Sequence, residues 1–177
     1  GSESIASATN AVAFGEKNVA SGINSSAHGE STQAQSDNSA TFGYKTTTNG
    51  YAAFAEGINT QAISPGSHAA GEGTIASGVS NQFVIGQYNE KDEDGKYLFI
   101  IGNGTYDSDS KTTTRSNAIA VDWQGKIYVN NSDTGVDVLD LLNRVKALET
   151  ALDGLKLKKT TTSEYDSLEQ KDNNTVY

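Results

Sequence analysis

The side chains that could do chemistry in this chain are few, and their spacing argues against most of it. There are two histidines, His28 and His68, and no cysteine. With no cysteine beside them and no helical pairing, the histidines are weak as metal ligands and read as surface or inter-chain packing residues. No metal centre is therefore expected, and disulfides are excluded with the cysteines. The run Glu90-x-Asp92-x-Asp94-Gly95 has the acid spacing that opens a calcium-binding loop. The position of the bidentate acid falls on Ile101, inside an apolar run, so the stretch reads as a solvated acidic turn. Asp107 and Asp109 read the same way. The chain has no Gly-x-Ser-x-Gly elbow and no phosphate-binding glycine loop, and its serines lack a matched histidine and acid. No catalytic residue, cofactor or metal ligand is therefore expected. Tyr44, Tyr51 and Tyr88 are candidates for carbohydrate contact through their ring faces, although tyrosines in a seam between chains would look identical in sequence. The sequons at Asn24-Ser25-Ser26 and Asn103-Gly104-Thr105 matter only in a eukaryotic secretory host.

Any such residue must be positioned by the internal repeat that runs from about Ile5 to Gly78. Every seventh residue from Ala6 is small: Ala6, Ala13, Ala20, Ala27, Ala34, Thr41, Thr48, Ala55, Ala62, Ala69, Ala76. A parallel column holds Gly15, Gly29, Gly43, Gly57 and Gly71 at fourteen-residue spacing without exception, with Ser36 and Ser64 loosening the alternate series. His28 and His68 lie one and three residues before their glycines, so they share no column. A coiled coil is excluded, because heptads need large apolar residues at two positions and each glycine costs about 1 kcal/mol in a helix. A disordered linker would not keep alanine and glycine in fixed columns. Fragments such as Val12-Ala13-Phe14-Gly15 and Asn18-Val19-Ala20-Ser21-Gly22 read as short strands closed by turns. Each fourteen-residue unit then makes one coil of two strands, stacked in register into a β-solenoid of five to six coils.

Only 35% of the 177 residues are apolar, and many of those are alanine. Large groups such as Val19, Phe42, Phe54 and Ile75 supply one or two per coil, too little for a single roll to offset its chain entropy. Neighbouring copies are expected to complete the interior, making an obligate oligomer. The net charge of −9 argues against nucleic acid, which requires a basic face. The cluster Lys156, Lys158 and Lys159 is too small to alter that. No apolar run is long enough to span a membrane. Gly1-Ser2 reads as an expression remnant, although Gly1 also falls on the repeat register. The chain reads as a segment of a longer protein.

After Gly78 the repeat fades, with Ile85 in the next glycine position. Phe83-Val84-Ile85-Gly86 and Leu98-Phe99-Ile100-Ile101-Gly102 read as strands around a polar loop. Ala118 to Trp123 and Lys126 to Val129 read as a hairpin turning at Gln124-Gly125. The predicted organisation is a head over 3–80, a β-hairpin capping module over 81–132, a helix over 133–155 and a linker or tail over 156–177. The helix is capped by Thr134 with Asp137, or Asp137 with Asp140. It places Val138, Leu141, Val145, Leu148, Leu152 and Leu155 in a strict a/d pattern, ending near Gly154. Arg144 at g and Glu149 at the following e have the spacing of an interchain ion pair. Valine at a with leucine at d favours two strands, so the zipper does not by itself specify a trimer. The tail holds a threonine run, a short helix over Ser163 to Glu169, a turn at Lys171 to Asn174 and the start of a strand at Thr175-Val176-Tyr177.

The units Asn10-Ala11-Val12-Ala13-Phe14-Gly15 and Gly71-Glu72-Gly73-Thr74-Ile75-Ala76-Ser77-Gly78 resemble head repeats of the YadA-like trimeric autotransporter adhesins. The resemblance covers about residues 3–80 and implies a left-handed parallel β-roll in a parallel homotrimer, followed by a coiled-coil stalk. The remainder departs from that family. Asn81 to Gly86, Ile101 to Thr105 and Ser116 to Trp123 are similar to segments of phage and prophage fibre proteins of Gram-positive hosts. Glu164-Tyr165-Asp166 and Lys171 to Tyr177 are similar to linker segments of phage tail proteins. Together these similarities imply a non-enzymatic, virion-associated receptor-binding fibre. Its partners would be two further copies, other virion or fibre proteins and a host cell-surface glycan or wall polymer, with no nucleic acid and no membrane insertion. A bacterial cell-surface adhesin is the alternative, as is a purely architectural spacer. A fibre-borne depolymerase would instead turn over wall polysaccharide and lose that activity with a clustered acidic pair.

Overall fold

A computed structural model of the chain describes residues 1–130 and 138–154. Short and long strands alternate from the start: β1 (Ile5–Ala6), β2 (Val12–Glu16), β3 (Val19–Ala20), β4 (Ser26–Glu30), β5 (Gln33–Ala34) and β6 (Ala40–Tyr44). The alternation continues through β7 (Thr47–Thr48), β8 (Phe54–Ile58), β9 (Gln61–Ala62), β10 (His68–Glu72), β11 (Ile75–Ala76) and β12 (Phe83–Gln87). Then come β13 (Tyr97–Asn103), β14 (Thr105–Asp107), β15 (Thr112–Thr114), β16 (Asn117–Asp122), β17 (Ile127–Val129) and the helix α1 (Val138–Gly154). The β unit and the helical unit divide between Asp137 and Val138.

The β unit is a solenoid of about seven turns. Its long strands stack in parallel from β2 to β13 in one nine-stranded sheet, and its short strands β1 to β11 stack in parallel in a second sheet of six. The sevenfold beat of the sequence has a stereochemical origin. Lys17, Asn24, Ser31, Asn38, Lys45, Ala52 and Asn59, each seven residues from the last, all adopt left-handed backbone with φ between 52° and 59°. Each coil turns two corners and each corner takes one left-handed residue, a conformation that asparagine tolerates and most residues avoid. Exposed asparagines brace one corner along the stack, with Asn10 Nδ2 donating to Asn24 Oδ1 at 2.9 Å and Asn24 Nδ2 to Asn38 Oδ1 at 3.2 Å.

Gly15, Gly29, Gly43, Gly57 and Gly71 lie in register in the long strands, at φ between 106° and 124°. A Cβ on any of them would overlap the carbonyl oxygen of the glycine in the next coil. Glycine is required there on both counts. The column does not stop at Gly71: a Cβ on Gly71 would meet Gly86, and Gly86 pairs with Gly102. The next coils contain one and two extra residues, so glycine arrives after Ile85 rather than at it. The change near residue 80 is therefore one of coil length, and the sheet passes through it unbroken. In the nine-stranded sheet the antiparallel pairings are β13–β16 and β16–β17. β16 and β17 form the hairpin expected at Gln124-Gly125 and cover the last parallel strand, while β14 and β15 pair antiparallel in a sheet of their own.

The interior corrects the sequence-based expectation about packing. Ala27, Ala55, Ala69, Val84 and Ile100 of the long strands face Ala20, Ala34, Ala62 and Ala76 of the short ones, and all are fully buried. The roll therefore fills its interior with its own small side chains. Of the large residues expected inside, Ile75 is buried, whereas Phe42 is 40% exposed and Val19 and Phe54 are half-buried. In strands, alternate side chains take opposite faces, and here the small ones take the inner face. The coil carrying Thr41 and Thr48 divides the apolar interior into two clusters, and both buried hydroxyls lack a hydrogen-bond partner.

Buried polar ladders close the ends of the roll. Asn18 Oδ1 accepts from the Thr32 amide and the Thr32 hydroxyl at 2.9 Å, while Asn18 Nδ2 donates to the Phe14 and Gly29 carbonyls. Asn89 repeats the arrangement at the other end, bonding both backbone groups of Ile75.

Candidate functional site

The outer face of the nine-stranded sheet carries a ladder of rings. Phe14, His28, Phe42, Phe54, His68, Phe83 and Phe99 follow one another up the stack, with centroids separated by 6.1, 4.8, 5.6, 4.8, 4.6 and 5.8 Å. The histidines share no column, yet the structure brings them onto one stripe. Phe14, His28 and Phe42 are in register one residue before the glycine, whereas Phe54, His68 and Phe83 are in register three residues before it. Both positions project from the same face, and the ladder crosses between them at the Phe42–Phe54 step. The signal was present in the sequence as aromatics confined to two same-parity columns, but only the fold shows that neighbouring columns touch. His28 Nε2 lies 2.7 Å from Ser26 Oγ, and His68 Nε2 lies 3.6 Å from Glu56 Oε1. The stripe is a packing surface of stacked and edge-on rings, and Phe14 at its end is 70% exposed.

A second feature lies on the flank of the roll. The β14–β15 hairpin stands beside the corners of the last coils, and between them is a cleft of 430 Å³. Asn59, Gln61, Glu72, Tyr88, Tyr106 and Arg115 are among its lining residues. Tyr88 is 9% exposed and sits at a left-handed corner with φ 39°. Its hydroxyl donates to Glu72 Oε1 at 2.7 Å. That bond, reinforced by burial, pushes its pKa up to about 12. Its ring stacks on Tyr106 at 6.3 Å and 25°. Arg115 Nη1 donates to the Gly73 and Asn89 carbonyls, both at 2.9 Å, fixing the guanidinium across two coils. Burial lowers its pKa from the ordinary value, but an arginine stays charged over the physiological range.

Of the three sequence-predicted tyrosines, only Tyr88 joins this cleft. Tyr44 lies on the outer sheet face with Lys45 Nζ 4.8 Å above its ring, and Tyr51 is exposed at a corner. Tyr106 and Arg115 were missed, because their relation to Tyr88 depends on a hairpin folding back over the roll. The acidic loop also differs from the solvated turn expected. Asp92 is buried, its carboxylate accepting from the Lys96 and Tyr97 amides and from Gln82 Nε2. It organises a turn.

On α1 the sequence-predicted positions Val138, Leu141, Val145, Leu148 and Leu152 are all exposed, from 42% to 72%. The helix begins at Val138 and ends at Gly154, with Asp140 in its first turn, where a carboxylate favours the helix dipole. Arg144 and Glu149 lie within it. Leu155, the cap residues Thr134 and Asp137, and the tail over 156–177 lie outside the described residues. No protein-family model and no curated protein matches this chain.

Proposed function

We propose that this chain is a non-enzymatic fibre or receptor-binding component of a phage or prophage, working on the virion or at the cell surface as a parallel homotrimer of left-handed β-rolls. The observation that carries the reading is the inversion of the fold. Alanine and threonine complete the inside, and Val12, Phe14, Phe42, Tyr51, Ile58 and Phe83 are turned outward. Burying each exposed phenylalanine against a neighbouring chain stabilises the assembly by about 1–2 kcal/mol. The ring ladder is the proposed seam, and partners attach to the outside of a finished roll. The bare a/d stripe of α1 supports the same assembly, with Arg144 of one chain paired to Glu149 of the next.

A rigid stack of three rolls suits attachment, since three identical weak sites act together when geometry permits. A host glycan or wall polymer is the proposed ligand class. Light scattering and a host-cell binding assay on the same preparation test the proposal. A trimer that binds cells supports it, and the variant Phe14→Ser/Phe42→Ser is expected to dissociate. A monodisperse monomer of the parent chain overturns it. A trimer that binds neither cells nor wall polysaccharide would instead be a spacer.

A further inference from the structure

We infer that the cleft beneath the β14–β15 hairpin is a saccharide-binding site for a neutral pyranose with adjacent hydroxyls. The inference rests on the attachment reading above and names the surface and ligand chemistry through which attachment would occur. Four observations carry it. At 430 Å³, the volume falls within the roughly 300–1,000 Å³ of small-molecule sites. One wall is aromatic: Tyr106 is 49% exposed and stacked on the buried Tyr88. The outer ring therefore offers an amphipathic surface to the C–H face of a sugar while the inner ring holds it in place.

The third observation is the disposition of hydrogen-bonding groups. Arg115 is anchored through Nη1 alone; among the described residues its Nε and Nη2 donate to no acceptor. Glu72 takes the Tyr88 hydroxyl on Oε1, and its Oε2 has no donor among the described residues. A fixed donor and a fixed acceptor, with the amide groups of Asn59 and Gln61 beside them, match adjacent sugar hydroxyls, each of which both donates and accepts. Fourth, one arginine and one glutamate leave the cleft without net charge, in a chain of net charge −9. A polyanion would meet long-range repulsion, so the favoured ligand is neutral. These groups do not form a nucleophile–base pair, and the proposed role is recognition without turnover.

Ligand-observed saturation-transfer NMR on the full chain provides the test. The probes are the methyl glycosides of glucose, galactose, mannose and N-acetylglucosamine, with methyl glucuronide as the charged comparator. At least one neutral glycoside is expected to show transfer. Tyr106→Ala should weaken that binding about tenfold, and Tyr106→Phe should retain it. Tyr106 is the residue to change because it is half exposed, whereas Arg115 holds two backbone carbonyls and its removal could unfold the corner. Gln61→Ala, also at an exposed position, is expected to shift the preference among the four sugars. Absence of transfer from every neutral probe overturns the inference. So does transfer indifferent to Tyr106→Ala, or a preference for the glucuronide. A Tyr106→Ala trimer that still binds host cells as the parent does would refute the cleft and leave the fibre reading standing. A monomer that binds sugar through Tyr106 would do the reverse.

Discussion

Replacing Gly43 with alanine gives the sharpest test of how the coils stack. At φ 119° the residue occupies backbone that side chains rarely adopt, at a cost of about 1–3 kcal/mol. The added Cβ would overlap the Gly57 carbonyl oxygen and lie 3.0 Å from its carbon. That obstacle is the backbone of the next coil, which cannot rotate away as a side chain would. Relief requires β6 and β8 to separate by about 1 Å from a strand spacing near 4.8 Å. This strains the flanking bonds from Asn59 N to Tyr44 O at 2.9 Å and from Ala40 N to Ala53 O at 3.0 Å. Losing two such bonds costs about 2 kcal/mol, so the total expected is about 4 kcal/mol per chain. Gly125→Ala separates the two contributions. Gly125 has φ 82° but nothing within 4 Å of a Cβ, so only the left-handed penalty of about 1–2 kcal/mol applies. The assay is denaturant unfolding by circular dichroism at one fixed chain concentration, because the midpoint of an oligomer moves with concentration. If Gly43→Ala costs no more than Gly125→Ala, close backbone approach is not what requires the glycine column.

Asn18→Ala removes four hydrogen bonds and leaves the Thr32 amide buried without a partner; a loss of about 3 kcal/mol is expected in the same assay. Thr41→Val should act in the opposite direction, raising stability by about 1 kcal/mol, since the buried hydroxyl has no partner and valine keeps the shape. A fourth prediction concerns pH. Burial raises the Asp122 pKa and is the largest single influence, but the Lys126 and Gln124 amides and the Tyr128 hydroxyl together outweigh it, and the net shift is downward from 3.8. A depressed folded-state pKa means the hairpin's stabilisation is complete above the unfolded value and is lost as pH falls through the folded one. Fluorescence of Trp123, the sole tryptophan, should report loosening below about pH 4. The same change in Asp122→Asn would assign it to another group.

The resemblance to adhesin head repeats rested on columns of tiny residues, and those columns do mark the inner face and the glycine contacts. Ile85 was misleading because one inserted residue displaces the column without ending it, and a fixed count of fourteen cannot follow a coil of fifteen. The large apolar residues were assigned inward on the usual logic of burial. In a roll whose two sheets approach closely enough for alanine to meet alanine, no space remains for phenylalanine. The cleft was legible only in part, through Tyr88. Its other groups depend on Arg115 reaching Gly73, 42 residues earlier, a distance over which no periodicity operates.

By itself the sequence determined the repeat, the strands, the corners and the requirement for glycine. In-register parallel stacking converts spacing along the chain directly into position along the solenoid, so a one-dimensional pattern suffices. Tertiary structure alone decided the rest: the small residues inward, the rings of two separate columns joined on one outer stripe, and the hairpin folded back to enclose a cleft. Those outcomes depend on the distance between sheets and on contacts across coils, where side-chain volume and backbone direction act together, and neither is encoded in the period.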